Sequence, residues 1–524
     1  MADEQKQRVV LNPADCDIGF NIEGNGLLGS SLYEKGLAYC WFGARANMGI
    51  TGGKYCFGCK VVSFQSVQME DTDPEDRNLC RVGISRGDDV VGSLGETSHS
   101  FGYEGTGKFW NATRSPCYGG KFGLGDTIVC AVNLEEKPLA SISFSKNGKC
   151  LGTAMKFNAL VDPEVKNFQW ESAFFPHLLL KNVEVELQFS VEGGLVPEDG
   201  FKPWAAALGD GNAIGGPVFD DPKDCEVMMM VGMPASGKTT WAEKWVKEHP
   251  EKRYVLLGIN MVLDQMKVPG HLRKQHKENL GDPYRLECLM IKASYILDSL
   301  LSRATARAAT SPRNYILDRT YVDKDDREYE LRQFNLFKQI AVVVFPSPEE
   351  VKTRLLKRFE DFGSLGPADI LNEMLANFAL PVTKDVPCSD ELFDEVMFVE
   401  LNRDESHKLL EEMKQEESDV NSNYSSPYSC RNFDESYPFS PKYGERILPH
   451  PTPSPQYEVA PAVNIGVATN AYPSAAFQPC AIASFTGNAP GCHGNAGYLN
   501  CAAPQLSRAP AGLHSPLCPP GPGY

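Results

Sequence analysis

The run Val227-Met-Met-Met-Val231-Gly232-Met-Pro-Ala-Ser-Gly237-Lys238-Thr239-Thr240 decides the architecture of half the chain. Five consecutive apolar residues suit a strand covered on both faces, and the glycine-bounded turn after them opens into an amphipathic stretch over residues 240–249. Strand, Gly-x-x-x-x-Gly-Lys-Thr turn and helix in that order form a phosphate-binding loop. The glycines let successive backbone N–H groups converge on phosphate oxygens, and the helix adds its positive N-terminal end. Lys238 is expected to neutralise β- and γ-phosphate charge, and the Thr239 hydroxyl to help hold Mg²⁺. Gly232, Pro234, Ala235, Ser236, Gly237, Lys238, Thr239 and Thr240 are therefore the candidate binding residues for ATP with Mg²⁺.

Downstream, apolar runs at 254–257, 315–317, 340–345 and 396–401 alternate with longer amphipathic stretches. That pattern predicts a parallel sheet covered by helices on both faces. Trp241 and Trp245, at i and i+4 on the helix after the loop, are read as core because this helix must lie against the sheet. Pro250 ends it. Asp318 closes the run Tyr315-Ile-Leu317, where a carboxylate would orient Mg²⁺ through water; the alternative is a solvated turn residue at a strand end. The run 340–345 leads to a basic stretch with Arg354, Lys357 and Arg358. Arg354 and Arg358 could fold over a transferred phosphate as a lid, and a solvated helix face accounts for them equally.

Upstream of residue 223 the periodicity is different. Val183, Val185, Leu187 and Phe189 alternate strictly, and Ser145-Lys-Asn-Gly-Lys149 supplies an Asn-Gly hairpin turn. Many short strands with closely spaced turns predict an antiparallel β-sandwich over 8–190. Residues 191–222 lose the alternation and collect Gly209, Gly211, Gly215, Gly216, Pro217 and Pro222, the composition of a linker. The α/β domain is expected over 223–400 and an acidic helix over 401–420. Residues 421–524, rich in Pro, Ser, Tyr, Asn, Ala and Gly, hold too few large aliphatics to offset the entropy of ordering and are expected to be disordered.

Composition narrows the function classes. The 524 residues carry 51 Lys+Arg against 68 Asp+Glu, a formal charge of −17, so a diffuse nucleic-acid-binding surface over the whole chain is not expected. Residues 223–362 run against that balance, with 24 basic and 20 acidic side chains. No apolar run approaches the roughly 20 residues of a membrane span, and the first residues lack the apolar core of a secretory signal. The 16 Cys are accordingly read as reduced thiols of a cytosolic or nuclear protein. Cys56-Phe-Gly-Cys59 lies inside a strand pattern, where an odd separation sends the thiols to opposite faces and disfavours a zinc site.

The residues also carry a resemblance. Arg81-Val-Gly-Ile-Ser85, Phe101-Gly-Tyr103, Gly125-Asp-Thr-Ile128, Ile142-Ser-Phe-Ser-Lys-Asn-Gly148 and Phe175-Pro-His177 fall in the order seen in SPRY domains, which resemble rigid recognition modules. The α/β domain is similar to the polynucleotide-kinase-like branch of P-loop kinases. Arg253-Tyr-Val-Leu-Leu-Gly258, Ser311-Pro-Arg-Asn-Tyr-Ile316 and Ala341-Val-Val-Val-Phe-Pro346 make the two domains together resemble the heterogeneous nuclear ribonucleoprotein U and U-like family. The resemblance implies nuclear residence, a protein partner through the SPRY domain, and RNA or nucleic-acid ends as further partners; no membrane is implied. The sequence holds no Arg-Gly-Gly triplet, and the expectation is a chain without the family's SAP region. Active polynucleotide kinases place an Asp general base where this chain aligns Asn260, whose amide is not basic near neutral pH, and the familiar Asp-x-Thr-Asn segment becomes Asp318-Arg-Thr-Tyr321. The expectation is an RNA-processing adaptor with an ATP-binding domain deficient in phosphoryl transfer. The alternative is an active 5′-polynucleotide kinase or ATPase using Asp318 or Asp264.

Overall fold

A computed structural model of the chain describes residues 8–69, 72–136, 139–159, 168–267, 283–307, 312–362, 368–387 and 389–418. These belong to one unit, Met1–Phe439; a second unit, Ser440–Tyr524, and the tail expected over 421–524 lie outside the described residues.

The alternating segments form two antiparallel sheets packed face to face. One runs in the order Leu11–Cys16, Phe42–Ala46, Phe174–Lys181, Leu79–Arg86, Ser100–Glu104, Phe109–Trp110. The other runs Lys149–Asn158, Leu139–Lys146, Thr127–Asn133, Lys54–Phe64, Val183–Gln188, Leu28–Ser31, Phe20–Glu23. Phe57, Val82, Ile84, Phe101, Ile128, Phe144 and Val185 fill the space between them. Asn147 (φ 51°) and Gly148 (φ 75°) make the predicted hairpin, because both central residues of such a turn need positive φ. Cys59 faces this core, whereas Cys56 packs on the opposite face with Val129, Ala131 and Leu195.

The predicted linker is not one over most of its length. Lys202–Pro203 pairs in parallel with strand Lys54–Phe64, and Ala213–Gly215 pairs antiparallel with Met48–Ile50. Trp204 is fully buried, meets Phe57 edge-on at 5.5 Å and donates from its indole to the Met48 carbonyl (3.1 Å). The glycines that read as a tether supply turns in a segment whose Leu195, Trp204 and Ala207 cover the sandwich. Burial of this indole helps offset the cost of ordering the residues around it.

The second half is a five-stranded parallel sheet in the order Val255–Gly258, Tyr315–Asp318, Glu226–Val231, Lys338–Val343, Glu395–Phe398. The loop strand is central, with later strands on either side of it. The turn at its carboxyl end therefore sits where the strand order reverses, the place at which open α/β sheets bind ligands. Met228 and Met230 face helix Lys238–Glu248, while Val227, Met229 and Val231 join the other layer. Trp241 and Trp245 stack at 4.9 Å and pack, half-buried, against the first of these layers. The acidic segment forms helix Arg403–Ser418, which buries Leu410 and Met413.

Candidate functional site

Strand Glu226–Val231 delivers the chain to Gly232, at φ 152°. A Cβ there would stand 2.5 Å from the Val344 carbonyl oxygen and 2.8 Å from Ser236 Oγ, so only glycine fits. Ala235 (φ 63°) and Gly237 (φ 104°) supply the other left-handed steps before helix Lys238–Glu248. A turn of mixed handedness aims successive N–H groups into one concavity, here at the positive end of an 11-residue helix. Ser236 Oγ is buried in this turn without a hydrogen-bond partner, and Lys238, also buried, donates to the carbonyls of Gly232 (2.9 Å) and Met233 (2.8 Å). Met233 itself anchors the loop in an apolar recess with Val344, Phe345, Phe378, Leu409 and Met413.

The two candidate metal residues come together: Thr239 Oγ1 donates to Asp318 Oδ2 at 2.7 Å. Asp318 ends the neighbouring strand and is buried. A Cβ on Gly258, which ends the strand beyond it, would lie 2.8 Å from Asp318 Oδ2 and press on the carboxylate that Thr239 holds. Asn260 follows two residues later, half-buried in the first turn of helix Ile259–Met266, and Asp264 is exposed further along that helix. Pro234 and Ala235 are half-buried on the loop; Thr240 is exposed.

Of the two lid candidates, Arg354 reaches the loop. From helix Pro348–Phe362 its Nη1 donates to the Ser236 carbonyl and to Glu400 Oε1 (2.8 Å), and its Nε donates to Glu350 Oε1 (2.8 Å). Burial works against its charge, but the hydrogen bonds it donates to Glu400 and Glu350 hold the guanidinium above its ordinary pKa. The Arg358 side chain lies outside the described residues, and Lys357 is exposed. Sequence reasoning missed both carboxylates. Glu350 was legible as an i−4 partner on the same helix; Glu400 follows the last strand and reaches the loop only through the sheet order.

This architecture defines a class: an SPRY-type β-sandwich joined to an α/β domain with a P-loop. Residues 44–190 match the SPRY domain family, and residues 227–381 match the family described as AAA domain. The chain is 35% identical over 417 residues to heterogeneous nuclear ribonucleoprotein U-like protein 2 of Mus musculus, covering 78% of this chain and 51% of that protein. The Homo sapiens protein of the same name is 34% identical over 423 residues, covering 79% and 52%. The chain thus spans about half the length of the curated relatives it matches. The crystal structure of the SPRY domain of human HERC1 matches 34% of this chain and 96% of that one, at 19% identity and a TM-score of 0.24. By sequence over 78% of its length and by domain content, the chain is similar to the heterogeneous nuclear ribonucleoprotein U-like proteins.

Proposed function

We propose that this chain is an RNA-associated adaptor of nuclear ribonucleoproteins, in which the SPRY sandwich engages a protein partner and the P-loop domain binds ATP with Mg²⁺ but transfers phosphate poorly. The carrying observation is the intact turn from Gly232 to Thr239, with Thr239 bonded to Asp318, beside an asparagine at position 260. The residues present fit a phosphate: the Ser236 hydroxyl lacks a partner, and the left-handed φ of Gly232 and Gly237 keeps the turn free of side chains at those two positions. Gly232, Pro234, Ala235, Ser236, Gly237 and Thr240 would enclose the phosphates, Lys238 would exchange loop carbonyls for phosphate oxygens, and Thr239 with Asp318 would hold the metal. Arg354 would place a second positive charge at the mouth. Bound there, ATP with Mg²⁺ supplies a transferable phosphoryl group. Asn260 orients an acceptor by hydrogen bonding and takes no proton from it, and Asp318 is already engaged with Thr239. RNA as a partner and nuclear residence rest on the names of the relatives, and nucleic-acid ends on the resemblance to polynucleotide kinases; among the described residues no helix is long and apolar enough to cross a membrane.

Titration of the full chain with ATP and Mg²⁺ tests the nucleotide half: the reading expects binding that Lys238→Ala weakens sharply, and equal affinities would end it. Incubation of a 5′-hydroxyl oligonucleotide with labelled ATP tests the rest. Label transfer abolished by Lys238→Ala would establish the kinase alternative, with Asp318 or Asp264 as base.

A further inference from the structure

The strands whose carboxyl ends carry the site have their opposite ends locked into the sandwich. Arg253, two residues before strand Val255–Gly258, donates to Asp15 Oδ2 (3.3 Å) and the Gly87 carbonyl, with its guanidinium 4.6 Å from the centre of the Trp170 ring. Arg313, two residues before strand Tyr315–Asp318, donates to the Cys16 carbonyl (2.7 Å). Between them the buried Asn314 ties three strand starts together: its Oδ1 accepts from Glu226 N (2.8 Å), its Nδ2 donates to the Lys252 carbonyl (2.7 Å), and its own carbonyl accepts from Val255 N (2.8 Å). Helix Ile259–Met266 then returns from Asn260 to the sandwich. There Trp41 N donates to the Gln265 carbonyl (2.8 Å), and Lys267 pairs with Glu96 at 2.6 Å.

These contacts are stiff. Asp15 is buried between Arg45 and Arg253; burial pushes its carboxyl up, but the two guanidinium groups outweigh it and hold the pKa well below the carboxylate range. Removing one partner of such a cluster leaves buried charge uncompensated. A four-residue strand spans only about 13 Å of extended, hydrogen-bonded chain, so a shift at its sandwich end is carried to Gly258 and Asp318 and is not absorbed.

We propose that the sandwich is a positioning element of the nucleotide site, so that occupancy of the loop and the junction contacts Asp15–Arg253 and Glu96–Lys267 are thermodynamically linked. The proposal rests on the reading that the loop binds ATP with Mg²⁺. Linkage is reciprocal: a ligand that shifts the junction alters nucleotide affinity, and nucleotide tightens the junction.

The test titrates the full chain, Arg253→Met and Glu96→Gln with ATPγS, once with Mg²⁺ and once with EDTA, and follows amide exchange with and without nucleotide. In the wild type, nucleotide should slow exchange in Leu11–Cys16 of the sandwich as well as in helix Ile259–Met266. With Mg²⁺, Arg253→Met should lose about 5–20-fold in affinity and Glu96→Gln about 2–5-fold, while their EDTA affinities match wild type, because the displaced group is Asp318. A merely destabilised protein would not separate the two conditions. Wild-type affinity in both variants, with protection confined to the P-loop domain, overturns the linkage and leaves the nucleotide reading standing. Failure of the wild type to bind removes both, and that outcome is visible in the wild-type arm alone. Should Arg253→Met not fold, Glu96→Gln decides, since it alters a single ion pair and leaves Asp15 with both of its guanidinium partners.

Discussion

Arg45 of the sandwich and Lys238 of the P-loop are both buried basic side chains, and they are held in opposite ways. Arg45, fully buried in the sandwich, places every one of its N–H donors: two on Asp15 (2.8 and 3.1 Å), one on Ser85 Oγ (2.9 Å), and one each on the carbonyls of Arg86 (2.8 Å) and Asp89 (2.6 Å). Lys238, buried in the loop, donates to two main-chain carbonyls beside a hydroxyl that has no partner. A charge bound into fixed carboxylate geometry is architecture. A lysine that donates to main-chain carbonyls can exchange them for the oxygens of an anion, and on the proposed reading that difference separates a scaffold from a site.

The sharpest way to break the comparison is to cross it. Arg45→Met should cost about 3–5 kcal/mol in denaturant unfolding, because Asp15 keeps its buried charge with one partner fewer, while nucleotide affinity falls only through the junction. Lys238→Met should reverse the pattern, with about 1 kcal/mol or less in stability and about 100-fold in nucleotide affinity. If both variants lose stability equally, the distinction fails.

Gly232→Ala comes next. Its Cβ would meet the Val344 carbonyl and its φ is costly for any side chain, so stability should fall by about 1–3 kcal/mol and nucleotide affinity with it. A variant that binds ATP as tightly as wild type would show that the turn is not the phosphate cradle.

Acid probes the sandwich side. His177, fully buried with Nδ1 at 2.8 Å from Ser85 Oγ, has its pKa lowered from 6.5 to about 3, chiefly by burial and then by Arg45. The unfolded chain therefore takes up a proton below about pH 6.5 that the folded chain refuses, and this contribution to stability is lost as pH falls. Asp17 opposes it. Burial raises its carboxyl to about 6 despite the hydrogen bond from Gly43 N, so between pH 6 and 4 the folded state binds the proton and gains stability on acidification. Asp17→Asn should accordingly lose stability faster than wild type across that interval, by about 1.4 kcal/mol per pH unit, in unfolding titrations at stepped pH. Parallel curves would mean Asp17 ionises normally.

The smallest effect lies in the P-loop domain away from the site. Asp323 caps helix Lys324–Leu331 by accepting from Asp325 N (2.7 Å), and Asp323→Ala should cost about 1 kcal/mol without changing nucleotide affinity.

The loop, its lysine and the succession of strands and helices along the chain were legible because each is local. Glycines at fixed spacing, an apolar run and a helix start need no knowledge of what lies across the sheet. Trp241 and Trp245 were legible for the same reason, through helical periodicity. The segment holding Trp204 was misread because glycine and proline mark turns whether or not the chain between them packs, and only the neighbouring sheet decides which. Arg253 and Arg313 lay in plain sight inside motifs read for their strands, but nothing in their spacing reveals Asp15 or Cys16, which are more than two hundred residues away.

The sequence alone determined that a P-loop turn exists here and that a β-rich module precedes it, since backbone handedness and side-chain periodicity are set by near neighbours. Tertiary structure decided which charges are locked and which can be re-addressed, and that the two halves share one junction. Those properties depend on burial and on partners distant in the chain, and burial is a property of the folded whole.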